Sequence, residues 1–154
     1  MRKPVAVLKT VEDSLPELDR RLIQAYLRTI YRLYEPAFDV YIGLRNPALD
    51  AWLNRQGWDT FAFITAWNPG SEILPAGEND RRHRDLFKVL RRHAQEMPLP
   101  AIHISPDGGW PPEASWWAPG LTPDTAVSIA LKFEQNALVF WEKGGVAELW
   151  WVSG

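Results

Sequence analysis

The run Thr60–Trp67, T-F-A-F-I-T-A-W, and the residues after it constrain this chain most. Phe61, Ala62, Phe63, Ile64 and Ala66 form a nearly continuous apolar stretch rather than an alternation. That pattern predicts an interior strand covered on both faces. Asn68-Pro69-Gly70-Ser71 then breaks the strand, and Glu78–Asp85 is the polar, basic start of a helix. Strand, loop and helix N-terminus in that order is where open α/β sheets hold ligands. Residues 60–85 are therefore where a site is expected.

The rest of the chain reads as elements packed around that strand. A helix is expected from a capping box at Ser14-Leu15-Pro16-Glu17, with Leu18, Leu22, Tyr26, Ile30 and Leu33 at helical spacing and an end near Tyr34, before Pro36. Phe38–Ile42 alternates as a strand. Asn46-Pro47 opens a short helix that Gly57 stops. The helix beginning at Glu78 carries an apolar stripe at Leu86, Phe87, Val89, Leu90 and Ala94. Ala101–Ser105 and Ala114–Ala118 read as strands around a Pro106-Asp107-Gly108-Gly109 turn, and Thr122-Pro123 caps a further helix. The tail reads as a β-hairpin, Leu138–Glu142 and Val146–Val152, turning at Gly144-Gly145. In that register Leu138, Phe140, Leu149 and Trp151 share one face. The fold class that follows is α/β, with α+β as the alternative: a mixed sheet of five or six strands with helices packed on it.

At 154 residues a single domain spanning 1–154 is the economical reading, with residues 1–12 as a segment free to flex. The net charge of −2 disfavours nucleic acid as a partner. With no cysteine, disulfides, zinc-thiolate sites and thiol catalysis are excluded. His83 and His93 are too far apart on one helix to share an ion, and His103 stands alone, so no metal site is expected. Neither a P-loop nor G-x-G-x-x-G is present, and no cofactor is expected. No apolar run approaches the ~20 residues of a membrane span, so a soluble, cytoplasmic protein is expected. The nine tryptophans are too many to be fully buried together. Some are expected to line a cleft or an exposed face suited to a homodimer or protein partner.

Several polar residues have both a structural and a functional reading. Asn68 and Ser71 are turn formers, and they also place polar groups at the end of the central strand. Asn79, Arg81 and Arg82 lie in two helical turns with nothing apolar to pack. They form either a solvated helix end or, with the helix dipole, a site for phosphate or carboxylate. Trp110 is either a core edge or a stacking platform. Glu113 is a loop carboxylate or a general acid–base. Gln135 closes a helix or faces the pocket.

Four blocks carry a resemblance. They are Thr65-Ala66-Trp67-Asn68-Pro69-Gly70-Ser71, Glu78-Asn79-Asp80-Arg81-Arg82, Trp110-Pro111-Pro112-Glu113-Ala114-Ser115 and Gln135-Asn136-Ala137. In this order, across roughly Tyr34 to Trp141, the chain resembles DUF3293, a bacterial family of unknown function. The resemblance implies a small bacterial protein and no assigned reaction. Taken with the residues, the expectation is a small soluble domain binding an anionic small molecule, nucleotide or sugar-phosphate-like. Asn68, Ser71, Asn79, Arg81, Arg82, Trp110, Glu113 and Gln135 would meet it. Two alternatives stand beside it: a protein-interaction or regulatory module without a small-molecule site, and an enzyme using Glu113 as acid or base.

Overall fold

The structure, a computed structural model, describes residues 5–7 and 17–153. Four helices accompany eight strands: β1 Val5–Val7, α1 Glu17–Arg28, β2 Ile30–Leu33, β3 Phe38–Val40, α2 Pro47–Gln56, β4 Thr60–Ile64, α3 Ala76–His93, β5 Leu99–Ile104, β6 Glu113–Pro119, α4 Pro123–Lys132, β7 Ala137–Glu142 and β8 Glu148–Trp151. The strands form one sheet in the order β1-β8-β7-β4-β6-β5-β2-β3. The α/β class holds, with eight strands instead of five or six. Every pairing among the described strands is antiparallel, so the sheet is antiparallel throughout rather than mixed.

β4 lies inside the sheet between β7 and β6, and its alternate residues feed two cores. Phe61 and Phe63 join Ile23 of α1, Leu49 and Leu53 of α2, and Trp117. Ala62 and Ile64 join Leu86 and Leu90 of α3 and Ala126, Ile129 and Ala130 of α4. Helices therefore cover both faces, which is why the apolar run of β4 is unbroken. The caps read from the sequence form as expected. Asn46 Oδ1 accepts from Leu49 N–H, and Gly57 takes the left-handed conformation (φ 76°) that ends α2. Thr122 Oγ1 accepts from Thr125 N–H at the start of α4. No helix is long and apolar enough to cross a membrane among the described residues.

Two local expectations are corrected. The first helix ends at Arg28, and Ile30–Leu33 is strand β2, paired with both β3 and β5. Ile30 and Leu33 continue the helical spacing from Tyr26, but Tyr31 and Leu33 also satisfy a period of two. Their burial, 2% and 1% exposed, favours the strand. The Ser14 capping box begins outside the described residues. The C-terminal hairpin forms, but in a register one residue away: Val139 opposes Leu149 and Phe140 opposes Glu148. Its turn closes by Gly145 N–H to the Glu142 carbonyl, with Gly144 at φ 88°. Val146-Ala147 is left out of the ladder, and the Ala147 carbonyl accepts instead from Gly43 N–H. A one-residue slip exchanges faces. Val139, Trp141, Leu149 and Trp151 accordingly face α1 and α2, whereas Leu138 and Phe140 face α3 and α4.

Seven of the nine tryptophans belong to or pack against these cores, all but Trp67 and Trp110, and none of the nine is exposed. Trp117 sits 5.4 Å from Trp52, 5.2 Å from Trp58 and 5.5 Å from Phe61, ring centre to ring centre. Of the two places expected for them, no tryptophan forms an exposed face, whereas Trp110 lines a cleft. Trp117→Ala is expected to lower unfolding free energy by about 3–5 kcal/mol, measured by urea denaturation. A loss below about 1 kcal/mol would show that this cluster does not hold the sheet to α2.

Candidate functional site

The loop after β4 is held in an unusual shape by side chains from three other segments. Asn68 (φ 48°), Gly70 (φ 62°) and Ser71 (φ 64°) all take positive φ around a one-turn 3₁₀ segment, Pro69–Ser71. Asparagine tolerates that conformation better than most residues. From α3, Asn79 Oδ1 accepts from Asn68 N–H (2.9 Å), and Asn79 Nδ2 donates to Asn68 Oδ1 (2.8 Å) and to the Leu74 carbonyl (3.2 Å). Arg82 Nε donates to the Ala66 carbonyl (2.8 Å), and its guanidinium also bonds the Phe133 carbonyl and pairs with Glu134. From the end of α4, Gln135 Nε2 donates to the Trp67 carbonyl (3.1 Å). Asn136 Nδ2 donates to Ser71 Oγ (2.9 Å), and Gly70 N–H donates to the Glu134 carbonyl (2.8 Å).

This clamp orients one amide. Asn68 Oδ1 is filled by Asn79 Nδ2 and Leu74 N–H (3.0 Å), so its Nδ2 points to Glu113 Oε2 (2.8 Å). Trp110 Nε1 donates to the same oxygen (2.9 Å). Glu113 begins β6 and lies past the end of β4, beside the loop. Its Oε1 has no hydrogen bond among the described residues. Burial pushes the Glu113 carboxyl up from its ordinary value of 4.5, against the two donors, which lower it.

Glu113 lines a cavity of about 300 Å³. One wall is α1, through Leu22, Ala25, Tyr26 and Thr29; another is the β5–β6 connection, including Asp107 and Trp110. Tyr26 Oη and Ser71 Oγ lie 2.9 Å apart on its surface. His103 is the cross-strand partner of Glu113 and of Tyr31. Its ring packs edge-on to Tyr31 at 4.7 Å, and burial pushes its pKa down to about 3, so the imidazole is neutral. At the mouth, Asp107 is held below the ordinary carboxylate range by Gly109 N–H and the Ser105 hydroxyl. Arg28 is the cation lining this cavity, and it is exposed.

The structure thus brings Asn68, Ser71, Trp110, Glu113 and Gln135 to one cavity. Asn79 stands behind Asn68 as its support. Arg82 is turned onto backbone carbonyls, and Arg81 is exposed on α3; neither lines the cavity. The arginines expected to grip an anion do not reach it. α3 points its second turn at the loop's carbonyl groups, which are the stronger local demand. Tyr26, Arg28, His103 and Asp107 join the site without having been expected there. His103 carried one available signal: in β5 it shares a face with Ala101 and precedes the Pro-Asp-Gly-Gly turn. Among the described residues, no three His, Asp or Glu side chains are grouped as a metal ion requires.

The family model of DUF3293, described as a protein of unknown function, matches residues 64–138. All four sequence blocks fall inside that span. Neither the curated proteins nor the solved structures offer a match.

Two outcomes follow from this geometry. Asn79→Ala, which leaves the Asn68 N–H and the Leu74 carbonyl unmet, is expected to lower stability by about 2–3 kcal/mol in a denaturant titration; an unchanged midpoint would show that the clamp carries no weight. Because the folded state raises the Glu113 pKa, its contribution is fully present below the ordinary value of 4.5 and is lost as pH rises through the folded pKa. Glu113→Gln, a neutral stand-in, is therefore expected to match the parent Tm near pH 4 and to exceed it progressively above. A parent Tm that rises over the variant's with pH would reverse the sign.

Proposed function

For this chain, whose residues 64–138 match the DUF3293 family model, we propose that the cavity beside Glu113 binds a small polar molecule of the nucleoside or sugar class. A volume of about 300 Å³ sits at the lower end of small-molecule sites. The observation that carries the reading is Glu113. One carboxyl oxygen is fixed by Asn68 and Trp110, and the other is left for a donor from the ligand. A ligand hydroxyl or amino group meets that oxygen, while the Tyr26 and Ser71 hydroxyls meet its acceptors. A phosphate on such a ligand lies outward, toward Arg28, because Arg81 and Arg82 are engaged or directed elsewhere.

A specific observation favours a second reading, in which the same carboxyl is a general acid or base. Burial moves its pKa toward the range where proton transfer near neutral pH is efficient. In this reading Glu113 exchanges a proton with the bound molecule, and Asn68 and Trp110 hold the carboxyl in place.

The test is a thermal-shift series with nucleosides, free sugars and their phosphates. A ligand at 100 times its Kd stabilises by about 2.7 kcal/mol, which moves the Tm of a chain this size by about 5–10 °C. Nucleosides or sugars are expected to produce that shift, and Glu113→Ala to abolish it. Phosphorylated forms should gain from Arg28 and lose that gain in Arg28→Ala. No shift from any member of the series would overturn the binding reading. For a ligand that is turned over, Glu113→Gln is expected to retain binding and to lose turnover by at least about 100-fold.

A further inference from the structure

A second chamber, of about 20 Å³, lies against the first, and the two share Tyr26, His103, Glu113 and Gln135 as walls. Tyr31, Thr65, Ala137, Leu138, Val139 and Leu149 complete it. Space for one water molecule requires roughly 10–15 Å³ and two to four polar partners.

Most polar groups around this chamber are already engaged. Tyr31 Oη donates to the Tyr26 carbonyl (2.8 Å). Thr65 Oγ1 donates to the Ala114 carbonyl (2.7 Å) and accepts from Trp67 N–H (3.0 Å). Gln135 Nε2 donates to two carbonyls. His103 Nε2 differs: it is buried, and no group of the chain bonds it. Glu113 Oε1 is likewise without a bond among the described residues. The neutral imidazole offers Nε2 as a single donor or acceptor, and Oε1 is an acceptor. One small molecule that both donates and accepts meets the two atoms in a chamber of this size.

We propose that this chamber binds one water molecule, which bridges His103 Nε2 and Glu113 Oε1, donating a hydrogen to Oε1. The site lies on the inner side of the carboxyl and does not depend on a ligand in the larger cavity. The water leaves a lone pair of Oε1 for the cavity side, so the carboxyl is braced from within and still open outward. It also favours the ionised carboxyl, and so moderates the upward push of burial. The groups facing this carboxyl are Tyr26 of α1, Tyr31 of β2 and His103 of β5, with Arg28 and Asp107 at the mouth. Burial keeps both tyrosines and His103 neutral, and Asp107 stays ionised. His103 and Asp107 change charge below the ordinary carboxylate range, and Glu113 is the wall group pushed to titrate above it.

A crystal structure of the unliganded full chain, at a resolution that shows ordered water, tests the site directly. One water is expected within about 2.6–3.2 Å of both His103 Nε2 and a Glu113 oxygen. No water there, or one that bonds neither atom, would overturn the proposal. A carboxyl-carbon NMR titration tests the coupling. His103→Phe removes one polar partner of the water and fills the chamber, and should raise the Glu113 midpoint by about one unit, the equivalent of one hydrogen bond to the charged form. If that variant does not fold, Val139→Leu narrows the chamber from its apolar wall and should shift the midpoint the same way. An unmoved midpoint in a folded variant would remove the link to Glu113. Thermal shifts with nucleosides and sugars report separately: a water without a ligand response removes only the ligand reading, and the converse result only the water.

Discussion

The Asn68 side-chain amide has two ends, and the site depends on which end faces where. Its oxygen is filled from α3 and from the loop, by Asn79 and Leu74, so its nitrogen can only be offered to Glu113. Aspartate, of nearly the same shape, would place an anion against an anion. Leucine would leave the Leu74 N–H unmet and Glu113 Oε2 held by Trp110 alone. The backbone at Asn68 adds a second demand, since its φ of 48° is strained for most side chains. One residue type meets both requirements, and the position of the carboxyl in the cavity wall follows.

Seen from that amide, polar residues from all four sequence blocks meet in one bonded assembly. Asn79 and Arg82 are three apart on α3 and therefore share a face of the helix; both reach the loop, one to Asn68 and one to the Ala66 carbonyl. Gln135 and Asn136 reach it from the end of α4. Trp110 completes the bonds to Glu113. The arginine that the sequence offers most readily to an anion is a strut here, because three segments that leave regular structure at one place expose many carbonyls. A guanidinium, with five donors in a plane, can satisfy several at once.

Much of this was legible in the chain. The unbroken apolar run of β4 states that both faces are covered, and Asn46-Pro47, Gly57 and Thr122-Pro123 mark helix ends through chemistry local enough to read. The place of the site, at the end of β4, was equally readable, because Asn68 and Ser71 interrupt an apolar strand with groups that need partners. What could not be read depends on contacts between distant segments. Ile30–Leu33 fits a helix and a strand alike, and only the presence of β5 beside it decides. The hairpin's Gly-Gly pair fits a two-residue turn, yet burial of Ala147 and its bond to Gly43 shift the register by one. Whether an arginine faces solvent, ligand or backbone is not written in helical spacing. His103 gained its place beside Glu113 only through the pairing of β5 with β6.

The cavity is assembled from two kinds of wall. The carboxyl, the amide that holds it and the loop between them belong to residues 64–138, while the facing wall is helix α1, from earlier in the chain. Leu22, Ala25, Arg28 and Thr29 shape the space, yet none bonds to Asn68 or Glu113. Tyr26 joins the two parts by a hydrogen bond to Ser71. Shape and chemistry are thus separable: exchanging side chains along one face of a single helix can change what fits without disturbing the carboxyl. A scaffold divided in this way can reshape its cavity in small steps, each confined to a surface that the clamp does not use.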